Sequence, residues 1–380
     1  MRKFYTYLLS FAIALVVVGC GGSATTNHKG DLLYSPRYAT GFEIRAIGEH
    51  SSVLTIKNPW QGAEGVEIDL FIGKNGELPP EGFVGSVMEA EPSKVVCMSS
   101  TYVALIDTLG FIGTVRGVSG AGYVSNPTIR TAHAEGRVAD VGYDANVNYE
   151  TIVAMQPDLV MIYGVAGDNS AMTTKLDDLG ITHFYIGDYV ENHPLGKAEW
   201  VVAMAEIYGC RERGEAIFEG IADEYEQLRR LATDAADKPS VMLNSPYRDT
   251  WFVPGDRSYL VTLLTDAGAE YVCAGNDSTV SRPISTETAY IYASRADYWL
   301  NPNQANTLDQ LRAENPKFAD IKAVREGNVY NCTARSTPEG GSDFWESGTL
   351  RADRVLADLI AIFHPDKAPD EGGYYFLRLR

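Results

Sequence analysis

From Gly196 to Ala236 the chain carries no proline and none of the two-residue alternation of a strand, and Ile217, Ile221, Tyr225 and Leu228 recur at helical spacing. A stretch of that kind folds as helix, and at ~1.5 Å of rise per residue it reaches across a whole domain. On both sides of it, short β-rich runs alternate with helical stretches, the pattern of parallel α/β units. The first block holds KVVCMSS, DLVMIY and THFYIGD, and the second holds SVMLNS, AEYVC, DYWLNP and GNVYNC, with a final helix over Leu350 to Phe363. The expected fold class is therefore α/β: two lobes with parallel-rich sheets bridged by one long α-helix. The apolar stripe is core packing; the single rigid crossing carries the functional content, because it leaves a cleft between the lobes.

Ahead of the first block, GFEIRAI, SSVLTIKNP and GVEIDLFIG alternate and turn like strands, which predicts a small N-terminal β appendage. Its role is open between an interaction module and a passive cover for a lobe edge. The expected division is a signal segment over 1–20, a tether over 21–37, the appendage over 38–90, one α/β lobe over 91–196, linker helices over 197–238 and the second lobe over 239–380.

The first twenty residues bear on location. Arg2 and Lys3 begin a short apolar stretch that ends at Gly19-Cys20, followed by Gly21, Gly22 and Ser23. The run is short for a membrane span, which needs about 20 apolar residues, and it fits an export signal. Its end resembles the lipobox of bacterial lipoproteins, which implies that Cys20 is the lipidated first residue of a mature chain anchored at the membrane, facing the periplasm or the cell exterior. The formal charge of -18, from 32 basic and 50 acidic residues, would repel a polyanion, so nucleic acid is excluded as a partner. Cys97, Cys210, Cys273 and Cys332 lie too far apart for a zinc site, and their pairing is left open.

Four stretches in order resemble the substrate-binding proteins of ABC importers for cobalamin, iron-siderophores and haem. They are VGYDANVNYETIVAMQPDLVMIY, WFVPGDRSYLVTLLTDAGAEYV, ISTETAYIYASRADYWL and FADIKAVREGNVYN. The resemblance covers roughly residues 94 to 363 and implies two lobes joined by a long helix, a monomer, and an ABC permease dimer as partner. It also implies that a surface glutamate on each lobe, here Glu150 and Glu287, pairs with permease arginines. Charge on two separated patches steers docking and fixes register. Position alone also allows each to be an ordinary helix-start carboxylate favoured by the macrodipole.

Open α/β sheets bind ligands at the carboxyl ends of their strands, and the loops there are rich in aromatics that give stiff, broad contact surfaces. Tyr102, Tyr123, Tyr143, Tyr247, Trp251 and Trp345 are the candidates, with Tyr123 and Tyr143 at positions matching the family's first-lobe pocket. Trp345 is equally a candidate core anchor. Arg248 and Arg282 are candidates to meet ligand carboxylates or phosphate. The expected ligand is a bulky metal chelate: an iron chelate first, then cobalamin, or haem with Tyr123 or His133 as axial ligand. The six histidines share no metal-ligand spacing, which disfavours free zinc or manganese. No hydrolase elbow, zinc-protease helix, Walker loop or dinucleotide glycine pattern occurs, so neither a secreted hydrolase nor another enzyme is expected.

Overall fold

The structure, a computed structural model, describes residues 30–143, 146–165, 167–248, 250–302, 305–369 and 372–380. Cys20 and the export signal lie outside them. The chain opens with a five-stranded sheet in the order β1-β2-β3-β4-β5, formed by β1 (Leu32–Tyr34), β2 (Phe42–Ile47), β3 (Ser51–Lys57), β4 (Glu67–Ile72) and β5 (Ser86–Met88). The pairing is antiparallel except for β4 with β5, which is parallel. Residues 32–34, expected in the tether, instead form the edge strand. Their pairing with β2 satisfies backbone groups that a free tether would leave to water.

The first lobe is a fully parallel sheet in the order β10-β9-β6-β7-β8, from β6 (Val95–Cys97), β7 (Val115–Val118), β8 (Ala139–Asp140), β9 (Leu159–Ile162) and β10 (His183–Tyr185). Its helices are α1 (Ser100–Thr108), α2 (Pro127–Ala134), α3 (Tyr149–Met155) and α4 (Ser170–Asp178). All four residues of β9 are buried, as expected of a strand covered on both faces.

The connector consists of linker helices, as expected, the second of them the long one. α5 (Pro194–Ile207) and α6 (Arg211–Thr233) pack as a hairpin, and Gly209 turns between them with φ +65°. Glycine adopts that left-handed conformation without a Cβ penalty. α5 is buried on all sides, so it is core. α6 has 23 residues, ~34 Å of helix, and buries one stripe containing Phe218, Ile221, Tyr225 and Leu228.

The second lobe contains β11 (Ser240–Leu243), β12 (Pro246–Tyr247), β13 (Thr250–Val253), α7 (Tyr259–Asp266), β14 (Glu270–Tyr271), β15 (Arg282–Ser285), α8 (Thr286–Ala293), β16 (Tyr298–Leu300), α9 (Leu308–Glu314), α10 (Lys322–Arg325) and β17 (Val329–Asn331). It ends with α11 (Ser347–Leu350), α12 (Ala352–Phe363) and β18 (Leu377–Arg378). The main sheet runs β14-β11-β16-β17-β18, parallel except for the terminal β18, and β12-β13-β15 form a side sheet.

The expectation of a sole crossing is corrected here. After β17 the chain returns to the first lobe, where α11 packs on α1 and α5 before α12 runs back along α6. The polypeptide therefore passes between the lobes three times, through the connector, into α11 and back through α12.

The appendage is fastened to α5 and the segment before it by buried carboxylates. Glu199 accepts hydrogen bonds from the Arg37, Tyr38 and Ala39 amides, each 2.7 Å, and from the Tyr34 hydroxyl at 2.8 Å. Glu191 takes the Thr40 and Gly41 amides and the Trp200 indole N–H. Glu206 takes the Ser52 hydroxyl and pairs with Lys74 and Arg211. Phe42 packs on Trp200 with ring centroids 5.0 Å apart.

Candidate functional site: the cleft between the lobes

Loops leaving the carboxyl ends of the two sheets meet where Gly341, after β17, lies against Tyr123, after β7. In the first lobe, the chain leaves β7 through Gly120, left-handed at φ +63°, into a 3-10 turn over Ala121–Tyr123. Asp140, at the end of β8, clamps this loop to its neighbour. One carboxylate oxygen accepts from the Gly120 and Gly142 amides at 3.1 and 2.8 Å, and the other accepts from Ala121 at 2.9 Å. The clamp brings Tyr123 and Tyr143 edge to face, with centroids 6.3 Å apart and planes at 89°. Both rings remain about half exposed, at 48% and 49%. Asp140 was not singled out in the sequence, although an aspartate ending a short β run before a glycine turn is a signal for such an amide clamp.

The second lobe meets this loop through the returning segment. At Gly341 a Cβ would come 2.0 Å from the Tyr123 carbonyl, so the two backbones approach as only glycine allows. Glu346 then accepts from the Ser125 and Asn126 amides at 2.7 and 2.8 Å. Burial, with Asp343 adding to it, pushes the Glu346 carboxyl up to about 7, against the pull of the two amides. On the next residue back, Trp345 stands 46% exposed with its ring set edge-on against Phe344. At the inner side, Lys197 of α5 donates to the Asp188 and Tyr189 carbonyls and lies 5.3 Å from the Tyr259 ring of α7, so α5 touches both lobes.

Tyr247 and Arg248 follow β11 at the carboxyl end of the second sheet. Tyr247 is exposed, and the Arg248 guanidinium lies 5.2 Å from its ring. Arg282 opens β15; its neighbourhood includes Asp256, Tyr271 and Cys273, and its Nε has no hydrogen-bond partner among the described residues.

Two expected ligand residues are core residues instead. Tyr102 is fully buried in α1, and its hydroxyl lies 3.2 Å from both the Ile162 and Ile186 carbonyls, to which it donates. Burial raises its pKa well above the ordinary value. Trp251 is likewise fully buried, packed on Trp299 and Phe318, with its indole N–H on the Leu243 carbonyl. Strand alternation explains it: Trp251 and Val253 point inward, and Phe252 between them is exposed.

Glu150 and Glu287 occupy equivalent places in the two lobes. Each is the second residue of a capped helix, with the Asn148 side chain accepting from Thr151 and Ser285 accepting from Thr288. Both carboxylates are exposed. Its own backbone N–H and the Ser285 hydroxyl hold Glu287 below the usual carboxylate range. Each helix leads to an aspartate that ties two strands: Asp158 accepts from Ser93, and Asp297 accepts from Ser240.

Among the described residues, one trio could hold a metal ion: Glu49 and His50 at the β2–β3 turn, with Glu77 from the β4–β5 connection. There Glu77 already accepts the Glu49, His50 and Ser51 amides. Among the described residues the Cys97, Cys210, Cys273 and Cys332 thiols pair with no other cysteine, and burial raises the pKa of each. No helix among the described residues is long and apolar enough to cross a membrane.

A family model described as periplasmic binding protein matches residues 95–336. The chain is 30% identical over 366 residues to an uncharacterized lipoprotein of Methanocaldococcus jannaschii, covering 90% of this chain and 84% of that one. It is 23% identical over 279 residues to an uncharacterized ABC transporter substrate-binding lipoprotein of Bacillus subtilis, covering 71% and 82%. Among solved structures, a periplasmic heme binding protein from Pseudomonas aeruginosa superposes with a TM-score of 0.59 at 19% identity, over 76% of this chain and 98% of that one. With a family model matched over more than half of its length and two parallel-rich sheets joined by a helical connector, the chain belongs to the periplasmic binding protein family.

Proposed function

We propose that this protein captures a bulky metal chelate in the cleft between its lobes and delivers it to an ABC permease dimer, held near the membrane by a lipid on Cys20. The observation that carries the reading is the Tyr123–Tyr143 pair, half exposed at the carboxyl edge of the first sheet and held by the Asp140 clamp. A ring pair set at right angles offers a broad, stiff wall for a large organic ligand and orders few rotatable bonds on binding. Exposed Tyr247 of the second lobe and Trp345 of the returning segment add two further rings to that surface. Within this class we favour an iron chelate of the siderophore kind, with Arg248 as the cationic group at the rim.

Haem is the second reading. The exposed Tyr123 phenol is a chemically suitable axial ligand for haem iron, and the Pseudomonas protein of the same fold binds heme. Glu150 and Glu287 serve as the permease contacts in both readings, since two exposed carboxylates at equivalent places in two lobes suit a partner with two subunits.

One experiment tests capture and delivery together. The purified protein is titrated with hemin, cyanocobalamin and a ferric hydroxamate siderophore, and the loaded form is added to its permease in vesicles while ATPase activity is followed. Binding of at least one probe, and stimulation lost in the Glu150→Ala, Glu287→Ala double variant at unchanged affinity, is the expected result. Stimulation equal to the parent removes the docking assignment; no binding of any probe removes the ligand class.

A further inference from the structure

The appendage reaches the cleft. Its β3–β4 connection carries Trp60, which lies over the exit of β9: at Gly164 a Cβ would come 2.7 Å from the Trp60 Cβ, and the Trp60 ring lies 5.4 Å from that of Tyr185 in β10. Beneath this loop is an open cavity of ≈ 300 Å³ lined by all three parts of the molecule. The appendage contributes Asn58, Trp60 and Gln61, the loop after β10 contributes Tyr189 and Asn192, and the loop after β14 contributes Thr279.

Sheet order shows where this cavity stands. β10 is an edge strand of the first lobe and β14 an edge strand of the second, so the loops leaving their carboxyl ends meet at one end of the cleft. The loops after β7 and β17 meet elsewhere along it, through Gly341 and Glu346. The cleft is thus bounded at one place by the returning segment and at its β10–β14 end by the appendage. The groups offered at that end are amides and hydroxyls beside two aromatic rings, Trp60 and Tyr189, the latter 45% exposed. The one lysine in the lining, Lys57, is already paired with Glu43 at 2.6 Å.

We infer that the appendage forms an end wall of the binding cleft, and that the cavity under Trp60 receives an uncharged hydrogen-bonding arm, an amide or a hydroxyl, of the bound chelate. This rests on the proposed function and adds a specificity site to it. Carboxamide and hydroxyl groups match the neutral donors and acceptors of Asn58, Gln61, Asn192 and Thr279, whereas a carboxylate arm would find no unpaired cation in the lining.

The test uses the full chain with hemin, cyanocobalamin and a ferric hydroxamate siderophore as probes. Affinities are measured for the parent, Trp60→Ala, Gln61→Trp and Leu78→Ala; Gln61 is exposed, and its enlargement fills the cavity from a position outside the core. Leu78 is exposed elsewhere on the appendage and serves as control. We expect about ten-fold weaker binding of the cognate probe in Trp60→Ala and in Gln61→Trp, with Leu78→Ala at the parental value. Parental affinity in Gln61→Trp overturns the inference even where Trp60→Ala melts early. Parental affinity in both overturns it while leaving the proposed function standing, and a parent that binds none of the probes removes both.

Discussion

At the scale of single residues, two tyrosines of similar sequence setting have opposite roles. Tyr102 follows β6 and Tyr123 follows β7, yet the first hydroxyl is buried on two main-chain carbonyls and the second ring is half exposed. Tyr102→Phe is expected to cost about 1 kcal/mol of stability, because a buried hydrogen-bonding group is lost, and to leave probe affinity unchanged. Tyr123→Ala is expected to do the reverse: a melting temperature near the parental value and affinity about ten-fold weaker. Chemical denaturation and equilibrium titration of the two variants check this, and weaker binding in Tyr102→Phe would return that residue to the ligand site. The sequence was informative about which residue types stand at the strand ends. It was not informative about which side of α1 faces the sheet, since a lone aromatic in a short apolar helix satisfies either orientation. For Trp251 the signal was present, because the alternation through Thr250, Trp251, Phe252 and Val253 puts the tryptophan inward.

At the scale of elements, α5 is the piece on which the others are assembled. Its apolar surface is interrupted by Lys197 and by Glu199 and Glu206, the two glutamates seven residues apart and so on one face. Both glutamates are fully buried, and both are spent on the appendage. Glu199→Ala leaves three amides and a tyrosine hydroxyl without their acceptor, which is expected to cost on the order of 3 kcal/mol and to release residues 30–40 to protease. Thermal melting and limited proteolysis followed by mass analysis check it; an unchanged melt and cleavage pattern would show that water takes over the acceptor's place. A corollary is that deleting the appendage exposes Glu191, Glu199 and Glu206 together, so a deletion reports on stability as well as on the cleft. The two carboxylates stand seven apart in a largely apolar helix, a spacing the sequence displays. Their partners are not displayed there, because residues 34 to 52 are brought to them only by tertiary folding.

At the scale of the whole molecule, the lobes are held by the connector hairpin and by the returning segment, which docks through a buried carboxyl, Glu346 on the Ser125 and Asn126 amides. Its folded pKa, about 7, stands above its ordinary value of 4.5. The stability this group contributes is therefore fully present below its unfolded pKa, and it is lost as pH rises through the folded one. The loss is on the order of 3 kcal/mol, at about 1.36 kcal/mol per pH unit. Glu346→Gln removes this dependence, so its melting temperature relative to the parent should climb between about pH 5 and about pH 8. A difference constant across that range would mean that Glu346 does not titrate there. With three passages joining the lobes, rigid-body motion on binding is expected to be small, and scattering profiles with and without bound probe should nearly coincide.

The sequence by itself determined the class of the fold: two α/β blocks, a helical stretch between them, and a β appendage ahead of them. These follow from periodicity and from where proline and glycine interrupt it, which are properties of neighbouring residues. Only the tertiary structure decided that the connector is a hairpin, that residues 337–350 return to the first lobe, and that Trp60 stands at the cleft. Each of those is a contact between residues far apart in the chain, selected by which surfaces bury one another best, and no local pattern encodes that choice.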